Sequence, residues 1–344
     1  MSERRVAIIL FNLGGPDGPA AVRPFLFNLF NDPAIISAPF PLRTMIAALI
    51  SSTREKTAQA NYAFMGGGSP IVPETLKQAE ALERALAARD LGIARKIFVA
   101  MRYWPPRAKD AVTYALEWGA TEAVLLPLYP QYSTTTTASS LKEWAKESSL
   151  PASAICCYPS MPAFAQAHAD AILQTWRDAG APENPRVLFS AHGLPQRVVD
   201  AGDPYQWQVE RSVAAVRALL PQDWGHRICY QSRVGPLKWL GPSTVEAIDE
   251  AGANGKGVIV SPIAFVSEHI ETLVELDIEY AQHAGVKGLP FYLRAPALSD
   301  APGFIETLAD LAARAIATPG GLRSEADGRI CPAQFSLCPH KASA

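Results

Sequence analysis

The stretch VLFSAHGLP at residues 187–195 decides the fold class, because a short apolar run ends directly in polar residues, a glycine and a proline. Such a run, without polar-apolar alternation, is typical of a strand buried on both faces. Residues 6–16, VAIILFNLGGP, repeat this arrangement near the start of the chain. The two stretches predict two similar strand-and-turn units, one in each half. The alternative is the loose repetition found in any α/β protein.

Outward from these stretches, short apolar runs alternate with longer helical patterns. We predict strands at residues 6–12, 96–102, 123–128, 154–157, 186–190, 227–231 and 258–262. We predict helices at residues 74–88, 108–117, 161–178, 205–220, 243–251, 268–283 and 301–318. Alternation of this kind indicates parallel sheets with right-handed crossovers. The predicted fold is α/β: two similar Rossmann-like domains, each a parallel sheet flanked by helices, with a ligand cleft between the carboxyl ends of their strands.

We place the first domain at residues 1–147, the second at 148–318 and a tail at 319–344. An alternative is that the helix at 301–318 packs back on the first domain. The first domain carries an insertion at about residues 28–71, with an apolar stretch interrupted by prolines. A long insertion of this kind is often a lid or a binding loop.

Composition excludes several classes of protein. The net charge is -2 and the basic residues are scattered, so we expect no nucleic-acid partner. No stretch reaches the roughly 18 apolar residues of a spanning helix, and the run at 6–11 is too short for a signal-peptide core. Five cysteines without an export signal indicate a reducing, cytoplasmic location rather than a disulfide framework.

Two features carry candidate chemistry. His192 follows a predicted strand directly, where a neutral imidazole can bind a metal or accept a proton; a capping or core histidine is the alternative. Glu271, Glu275 and Glu279 are four apart on one predicted helix, so they share a face. Such a stripe can pass protons or guide a divalent cation, and a solvated helix face is the alternative.

Aromatic and basic residues end three predicted strands, at residues 101–106, 129–133 and 231–242. Loops of this composition suit a flat, hydrophobic ligand that carries carboxylates, through stacking and arginine–carboxylate pairing. Ordinary loop packing explains any one of the three, but less easily all of them.

Together these segments resemble the ferrochelatase family. The matching segments occur in the family's order and cover about residues 6–317. They are NLGGP at 12–16, GGGSPI at 66–71, RY at 102–103, YPQYS at 129–133, FSAHGLP at 189–195, YQSRVGP at 230–236, WLGP at 239–242 and SEHIETL at 267–273. The resemblance implies a lyase of haem biosynthesis that inserts Fe2+ into protoporphyrin IX to form protohaem.

The resemblance also implies roles for individual residues. His192 and Glu271 correspond to the inner metal-site pair: His192 accepts a pyrrole proton or ligates iron, Glu271 acts opposite it, and Glu275 continues the acidic path. Seven further residues match family positions around the macrocycle or its propionates: Leu13, Arg102, Tyr103, Tyr132, Ser133, Ser232 and Trp239. The chemistry fits, because insertion requires removal of two pyrrole protons and favours a slot that binds a bent ring.

Some family members carry a 2Fe-2S cluster bound by one internal and three C-terminal cysteines. This tail has Cys331 and Cys338 followed by His340, and Thr134 occupies the internal position. Cys156 and Cys157 are the remaining candidate ligands, with His340 as a nitrogen ligand. Free cysteines or a remnant site are the alternative, and Fe2+ is expected as the substrate metal in either case.

The apolar residues 38–50 correspond to a lip over the pocket mouth in this family. An exposed apolar lip predicts peripheral contact with the inner face of a membrane, and a buried lid helix is the alternative.

Other functions are less well supported. A hydrolase using Ser190 and His192 lacks the G-x-S-x-G elbow, and GGPDG at 14–18 lacks the G-x-G-x-x-G pattern of a nicotinamide oxidoreductase. A non-catalytic tetrapyrrole-binding protein, a chelatase acting on a corrin-type ring and a coproporphyrin ferrochelatase remain open. The lip and Trp239 favour protoporphyrin, which has fewer charged arms than coproporphyrin.

Overall fold

The computed structural model describes residues 3–89, 91–233 and 237–341. Residues 234–236 of the predicted YQSRVGP segment lie outside this description. The chain divides into two compact units. The first comprises Met1–Tyr129, Ser133–Cys156 and Leu308–Arg323, and the second comprises Pro130–Tyr132, Cys157–Thr307 and Ser324–Ala344. The domain limits at 147 and 318, and the cleft, stay predictions.

The described residues contain nine strands and eleven α-helices. The strands are β1 Arg5–Asn12, β2 Ala94–Met101, β3 Glu122–Pro127, β4 Ala152–Cys157, β5 Arg186–His192, β6 Gly225–Gln231, β7 Val258–Pro262, β8 Tyr292–Arg294 and β9 Gly321–Ser324. The helices are α1 Val22–Phe30, α2 Leu42–Ala63, α3 Ile71–Ala87, α4 Ala108–Glu117, α5 Thr137–Glu147, α6 Pro162–Asp178, α7 Gln196–Asp200, α8 Tyr205–Arg217, α9 Thr244–Ala253, α10 Ala281–Val286 and α11 Pro302–Ala317. A short 3-10 helix spans Pro19–Ala21 and a π-helix spans Glu271–Tyr280.

The first unit is built on a five-stranded sheet with the order β2-β1-β3-β4-β9. Strand β1 pairs in parallel with β2 on one side and β3 on the other. Residues Val6 to Leu10 are completely buried, as expected of a central strand covered on both faces. Its helix-covered core includes Phe11 and Trp144, whose rings pack edge to face.

The second unit is built on a four-stranded sheet with the order β6-β5-β7-β8. Strand β5 occupies the position that β1 has in the first sheet, with parallel neighbours β6 and β7. This shared order of the first three strands confirms the predicted fold class of two similar units with parallel sheets and flanking helices. It also places the carboxyl end of β5, and therefore His192, at the middle of a sheet edge.

Several predicted elements need correction. The strands β8 and β9 were not predicted, because they have only three and four residues and are not covered on both faces. Helices α1, α2, α5 and α7 were not predicted either. The last part of the apolar stretch at 38–50 begins the 22-residue helix α2, because Pro39 and Pro41 lie before its first turn and break none of its hydrogen bonds.

The predicted α-helix at 268–283 is also corrected. Residues Glu271–Tyr280 form a π-helix, which has more residues per turn than an α-helix, and only Ala281–Val286 continues as α10. Acids four apart therefore do not stack as predicted: Glu271 and Glu275 are partly buried while Glu279 is exposed. Within the described residues, no helix has both the length and the apolar character needed to cross a membrane.

Candidate active site

The candidate site begins at His192, the last residue of β5. Its Nδ1 lies 3.0 Å from Oε2 of Glu271, at hydrogen-bonding distance. The His192 carbonyl oxygen accepts a hydrogen bond from the hydroxyl of Tyr205 at 3.1 Å. The His192 side chain keeps 39% of its surface exposed, so the ring is accessible while its position is fixed from two sides.

Gly193 makes the turn after His192 possible. A Cβ atom at this position would stand 2.8 Å from the carbonyl oxygen of Gln231 and 3.4 Å from the Trp239 ring. The Gly193 amide instead donates to that carbonyl oxygen at 2.9 Å. The glycine therefore lets the turn lie directly on Gln231 and Trp239.

Glu271 begins the π-helix and contacts two histidines. In addition to His192, Nε2 of His269 lies 3.5 Å from Oε2 of Glu271. His269 is buried, and its Nδ1 lies 3.0 Å from the carbonyl oxygen of Ser267. Sequence reasoning assigned His269 no role, although it lies in the SEHIETL segment that carried the family resemblance.

Glu275 lies on the same π-helix and is held by two donors. Its Oε2 accepts from Ser232 Oγ at 2.8 Å and from Gln231 Nε2 at 2.9 Å. Gln231 also donates to the backbone oxygen of Glu271 at 2.8 Å, and its Oε1 accepts from Ser190 Oγ at 2.7 Å. Gln231 is a further residue without a predicted role, and it links the two acids to the end of β5.

The electrostatics of the three ionisable groups differ. Burial works to raise the pKa of Glu271, but His192 and then His269 hold it well below its usual range. Removal from water works to lower the pKa of His192, but Glu271 outweighs this and raises it. Burial and the adjacent negative charge of Glu271 raise the pKa of Glu275 to about 7.

This arrangement can accept, hold and release protons near neutral pH. An anionic Glu271 stabilises a proton on His192, and Glu275 changes its charge close to the pH at which cells work. The described contacts thus gather His192, Glu271, Glu275 and Ser232, four of the predicted site residues, in the second unit.

Trp239, in the same unit, is half-buried and forms a bridge with Pro195. Tyr132 is buried, and its amide donates to Gln208 Oε1 at 2.7 Å. Both belong to the second unit.

The other predicted substrate-binding residues belong to the first unit. Leu13 is half-buried directly after β1, and its amide donates to Asn12 Oδ1 at 2.8 Å. Ser133 is buried, with its Oγ 2.9 Å from Oγ1 of Thr135.

Arg102 and Tyr103 follow β2 and make internal bonds. The Arg102 guanidinium donates through Nη2 to Asp32 at 2.6 Å, through Nη1 to Glu143 at 3.0 Å and through Nε to Ser139 at 2.7 Å. The Tyr103 hydroxyl donates to the same Asp32 oxygen at 2.8 Å. Sequence reasoning missed Asp32, which is buried in the insertion about seventy residues before its partners.

The tail cysteines also pair internally. Cys331 and Cys338 are buried, and Gln208 donates to the Cys331 sulfur at 3.2 Å. The Cys331 thiol donates to Cys338, which lowers the pKa of Cys338 to about 6. Cys156 and Cys157 are consecutive residues of β4, so their side chains leave opposite faces of the strand. In the part of the chain that the structure describes, no group of three or more His, Cys, Asp or Glu side chains is arranged to hold a metal ion.

Two parallel sheets, with a histidine–carboxylate centre where the middle strand of one of them ends, define an α/β enzyme with proton-transfer or metal-handling chemistry. The family model described as Ferrochelatase matches residues 5–316. Curated ferrochelatases are similar over nearly their whole length. That of Phenylobacterium zucineum is 59% identical, covering 97% of each chain, and that of Caulobacter vibrioides is 55% identical, covering 99% of each.

The chain belongs to the ferrochelatase family, which are lyases that insert a metal ion into a porphyrin in haem biosynthesis. A solved structure supports the fold alone: SirB from Bacillus subtilis with Fe3+ has a TM-score of 0.51 at 13% identity, covering 92% of this chain and 96% of that one.

Proposed function

We propose that this protein inserts Fe2+ into protoporphyrin IX to form protohaem, with His192 as the group that accepts pyrrole protons or ligates the metal. The observation that carries the proposal is the 3.0 Å contact between His192 Nδ1 and Glu271, beside a second acid whose pKa is about 7. Metal insertion releases two pyrrole protons, so it needs an acceptor and a route away from it.

Each residue has a distinct task in this mechanism. Glu271 occupies Nδ1 of His192, which leaves Nε2 as the nitrogen that we assign to the substrate. A proton taken at Nε2 produces an imidazolium that the Glu271 carboxylate stabilises. Glu275, held by Gln231 and Ser232, then receives the proton and releases it to water, because a carboxyl group with a pKa of about 7 both binds and loses a proton near neutral pH.

The same ligand types decide metal choice. Imidazole and carboxylate suit Fe2+ but also accept Zn2+ and Co2+. We therefore expect insertion of Zn2+ as well as Fe2+ by the purified protein.

We propose contact with the macrocycle or its propionates for Leu13, Tyr132, Ser133, Ser232 and Trp239. Arg102 and Tyr103 belong to the same proposal, although their described bonds to Asp32 compete with a direct contact. The exposed apolar lip favours protoporphyrin, whose vinyl groups are apolar, over the more highly charged coproporphyrin.

The lip also supports peripheral membrane contact. Phe40, Met45 and Leu49 expose between 65% and 76% of their surface, before and along the first turns of α2. Exposed apolar side chains grouped in this way are typical of a surface that binds a partner or a bilayer. Flotation with phosphatidylcholine–phosphatidylglycerol vesicles tests this, using Met45→Ser/Leu49→Ser against Val286→Ser, an exposed apolar residue of the second unit. Equal flotation of both variants would contradict membrane contact through the lip.

For the tail we propose free thiols that pack the chain end, rather than a 2Fe-2S cluster. The Cys331–Cys338 contact and the bond from Gln208 satisfy these two sulfurs internally. A protein purified anaerobically should then show no visible absorbance. A brown protein that bleaches when Cys331 is replaced by serine would establish the cluster instead.

The decisive experiment is anaerobic insertion of Fe2+ and Zn2+ into protoporphyrin, with wild type beside His192→Ala. We expect the variant to lose at least about 100-fold in turnover, the contribution typical of a proton acceptor, while still binding porphyrin. His226→Ala, at the start of β6, is the matched control and should keep full turnover. If a folded wild type binds porphyrin but inserts neither metal into protoporphyrin, coproporphyrin becomes the proposed substrate. If it inserts neither metal into coproporphyrin, the protein is a tetrapyrrole-binding protein without insertion activity.

A further inference from the structure

A single guanidinium bridges the segment that carries His269, Glu271 and Glu275. Arg294 Nη1 donates to Oε1 of Glu268 at 2.5 Å, just before the two acids. Its Nε and Nη2 donate to the two carboxylate oxygens of Asp277 at 2.7 and 2.6 Å, just after them. Both ends of the segment are therefore tied to one side chain.

This guanidinium is anchored to the sheet. Arg294 is the last residue of β8, where its backbone pairs with Val260 of β7. Two residues earlier on the same strand, the Tyr292 hydroxyl donates to the carbonyl oxygen of Leu276 at 2.7 Å. Residues two apart on a strand point to the same face, so β8 presents both anchors to the π-helix.

The π-helix needs such anchors. Helices of this kind are rare and short, whereas this one runs for ten residues. The Arg294 side chain is only 13% exposed, and its planar fork matches the Asp277 carboxylate in a way that an ammonium group does not. The partly buried, two-point attachment therefore holds more strongly than an exposed ion pair.

We propose that Arg294 is a positioning residue for metal insertion: it holds residues 268–277 in the path that keeps Glu271 against His192 and Glu275 against Ser232. This inference rests on the proposed function of those two acids. Arg294 itself touches neither the candidate metal pair nor the assigned substrate nitrogen in the described contacts, so it acts through the segment.

The first test does not depend on activity. Amide hydrogen exchange is followed in peptides covering residues 268–280 for wild type, Arg294→Met and the milder Asp277→Asn. We expect at least about tenfold faster exchange in those peptides, and unchanged exchange in the peptides of β5 and β6. Arg186→Met is the matched control, since Arg186 also pairs with a glutamate, Glu250 at 3.0 Å, at the other end of β5. Unchanged exchange over 268–280 in folded Arg294→Met and Asp277→Asn would overturn the proposal.

The second test asks whether the effect passes through Glu275. Turnover of Zn2+ insertion is measured for Arg294→Met, Glu275→Gln and the double variant. Displacing a reacting group by about 1 Å can cost 100-fold, so we expect a 10- to 100-fold loss of kcat with KM within about twofold. In the Glu275→Gln background the same change should cost less than it does in the wild type, because the part of the loss that passes through Glu275 is already absent while the part that passes through Glu271 remains.

The results separate the two levels of inference. Additive losses would overturn the positioning of Glu275, and a loss confined to KM would overturn the positioning of both acids, while either result leaves the proposed function intact. A wild type without insertion activity would instead overturn the proposed function, and the exchange experiment would still decide whether Arg294 holds the π-helix. Arg294→Lys is a further check. It keeps the positive charge but lacks the planar fork of the guanidinium, so its kcat should be little higher than that of Arg294→Met.

Discussion

The first unit and the second unit each hold a charged cluster near the carboxyl end of a strand, but the two clusters balance their charges differently. Near the end of β2, Asp32 accepts from Arg102, Tyr103 and Ser139, while Glu143 pairs with Arg102 and Arg107. Two arginines thus face two carboxylates, and each carboxylate has a full set of donors.

The cluster at the end of β5 has no such balance. Among the residues that the structure describes, the ion pairs of Glu271 are with His192 and His269, and Glu275 accepts hydrogen bonds from the neutral groups of Gln231 and Ser232. Burial, and then the negative charge of Glu271, raise the pKa of Glu275 to about 7. Matched charges in the first cluster satisfy every carboxylate, whereas unmatched charges in the second raise the pKa of an acid toward neutral pH, the property that the proposed proton transfer requires.

Breaking the matched cluster should have the largest effect on stability. Arg102→Met leaves the buried Asp32 without its cation, so we expect the free energy of unfolding to fall by about 3–5 kcal/mol. Urea unfolding at pH 7 measures this. Arg107→Met is the control in the same cluster: Arg107 is 34% exposed, and its loss should cost less than about 1 kcal/mol. Unchanged stability with a raised KM for porphyrin would instead make Arg102 a direct substrate residue.

Removing the unmatched acid Glu275 should raise the free energy of unfolding rather than lower it. Glu275 has a pKa of about 7 in the folded protein against an ordinary 4.5, so the folded state binds this proton more tightly than the unfolded state. Its contribution to stability is therefore present at low pH and is lost as the pH rises from 4.5 to 7. Glu275→Gln removes this loss, and we expect it to be up to about 3 kcal/mol more stable than wild type at pH 8 and nearly equal at pH 4.5.

Urea unfolding at the two pH values checks this prediction, with the exposed Glu279→Gln as control. If the difference in unfolding free energy between Glu275→Gln and wild type is the same at both pH values, the pKa of Glu275 is not raised. We expect Glu275→Gln to have lower turnover than wild type although it is more stable, since the substitution removes the proposed proton relay.

The same contrast shows what the sequence could predict. Apolar runs and the residues that follow them located β1, β5, β7 and the position of His192, because burial of a central strand leaves a local signature. The four-residue spacing of acids singled out Glu271 and Glu275, and the family resemblance then implied their roles.

The partners of these residues were not predictable, because they are distant along the chain. Asp32 meets Arg102 across seventy positions, and Arg294 reaches back to Glu268 across twenty-six. The π-helix was missed for a related reason: its sequence has the same apolar and acidic residues as an α-helix, and its contacts with Tyr292 and Arg294 on β8 join residues that are distant along the chain.

Removing one neutral hydrogen-bond donor from Glu275 should have the smallest effect of these changes, since no charge is altered. Ser232→Ala removes one of the two hydrogen bonds to Glu275 Oε2, each of which favours the charged carboxylate. A hydrogen bond to a charged group contributes on the order of 1 kcal/mol, so the pKa of Glu275 should rise further above 7 by less than about one unit. The acidic limb of the pH profile for Zn2+ insertion should move to higher pH by that amount.

Ser336→Ala is the control: Ser336 is a serine of the tail that donates to a backbone oxygen, so its replacement should leave the profile unchanged. A shift of the Ser232→Ala limb to lower pH would show that Glu275 is not the group that titrates. A rise in KM for porphyrin without any shift would place Ser232 on the substrate rather than on the acid.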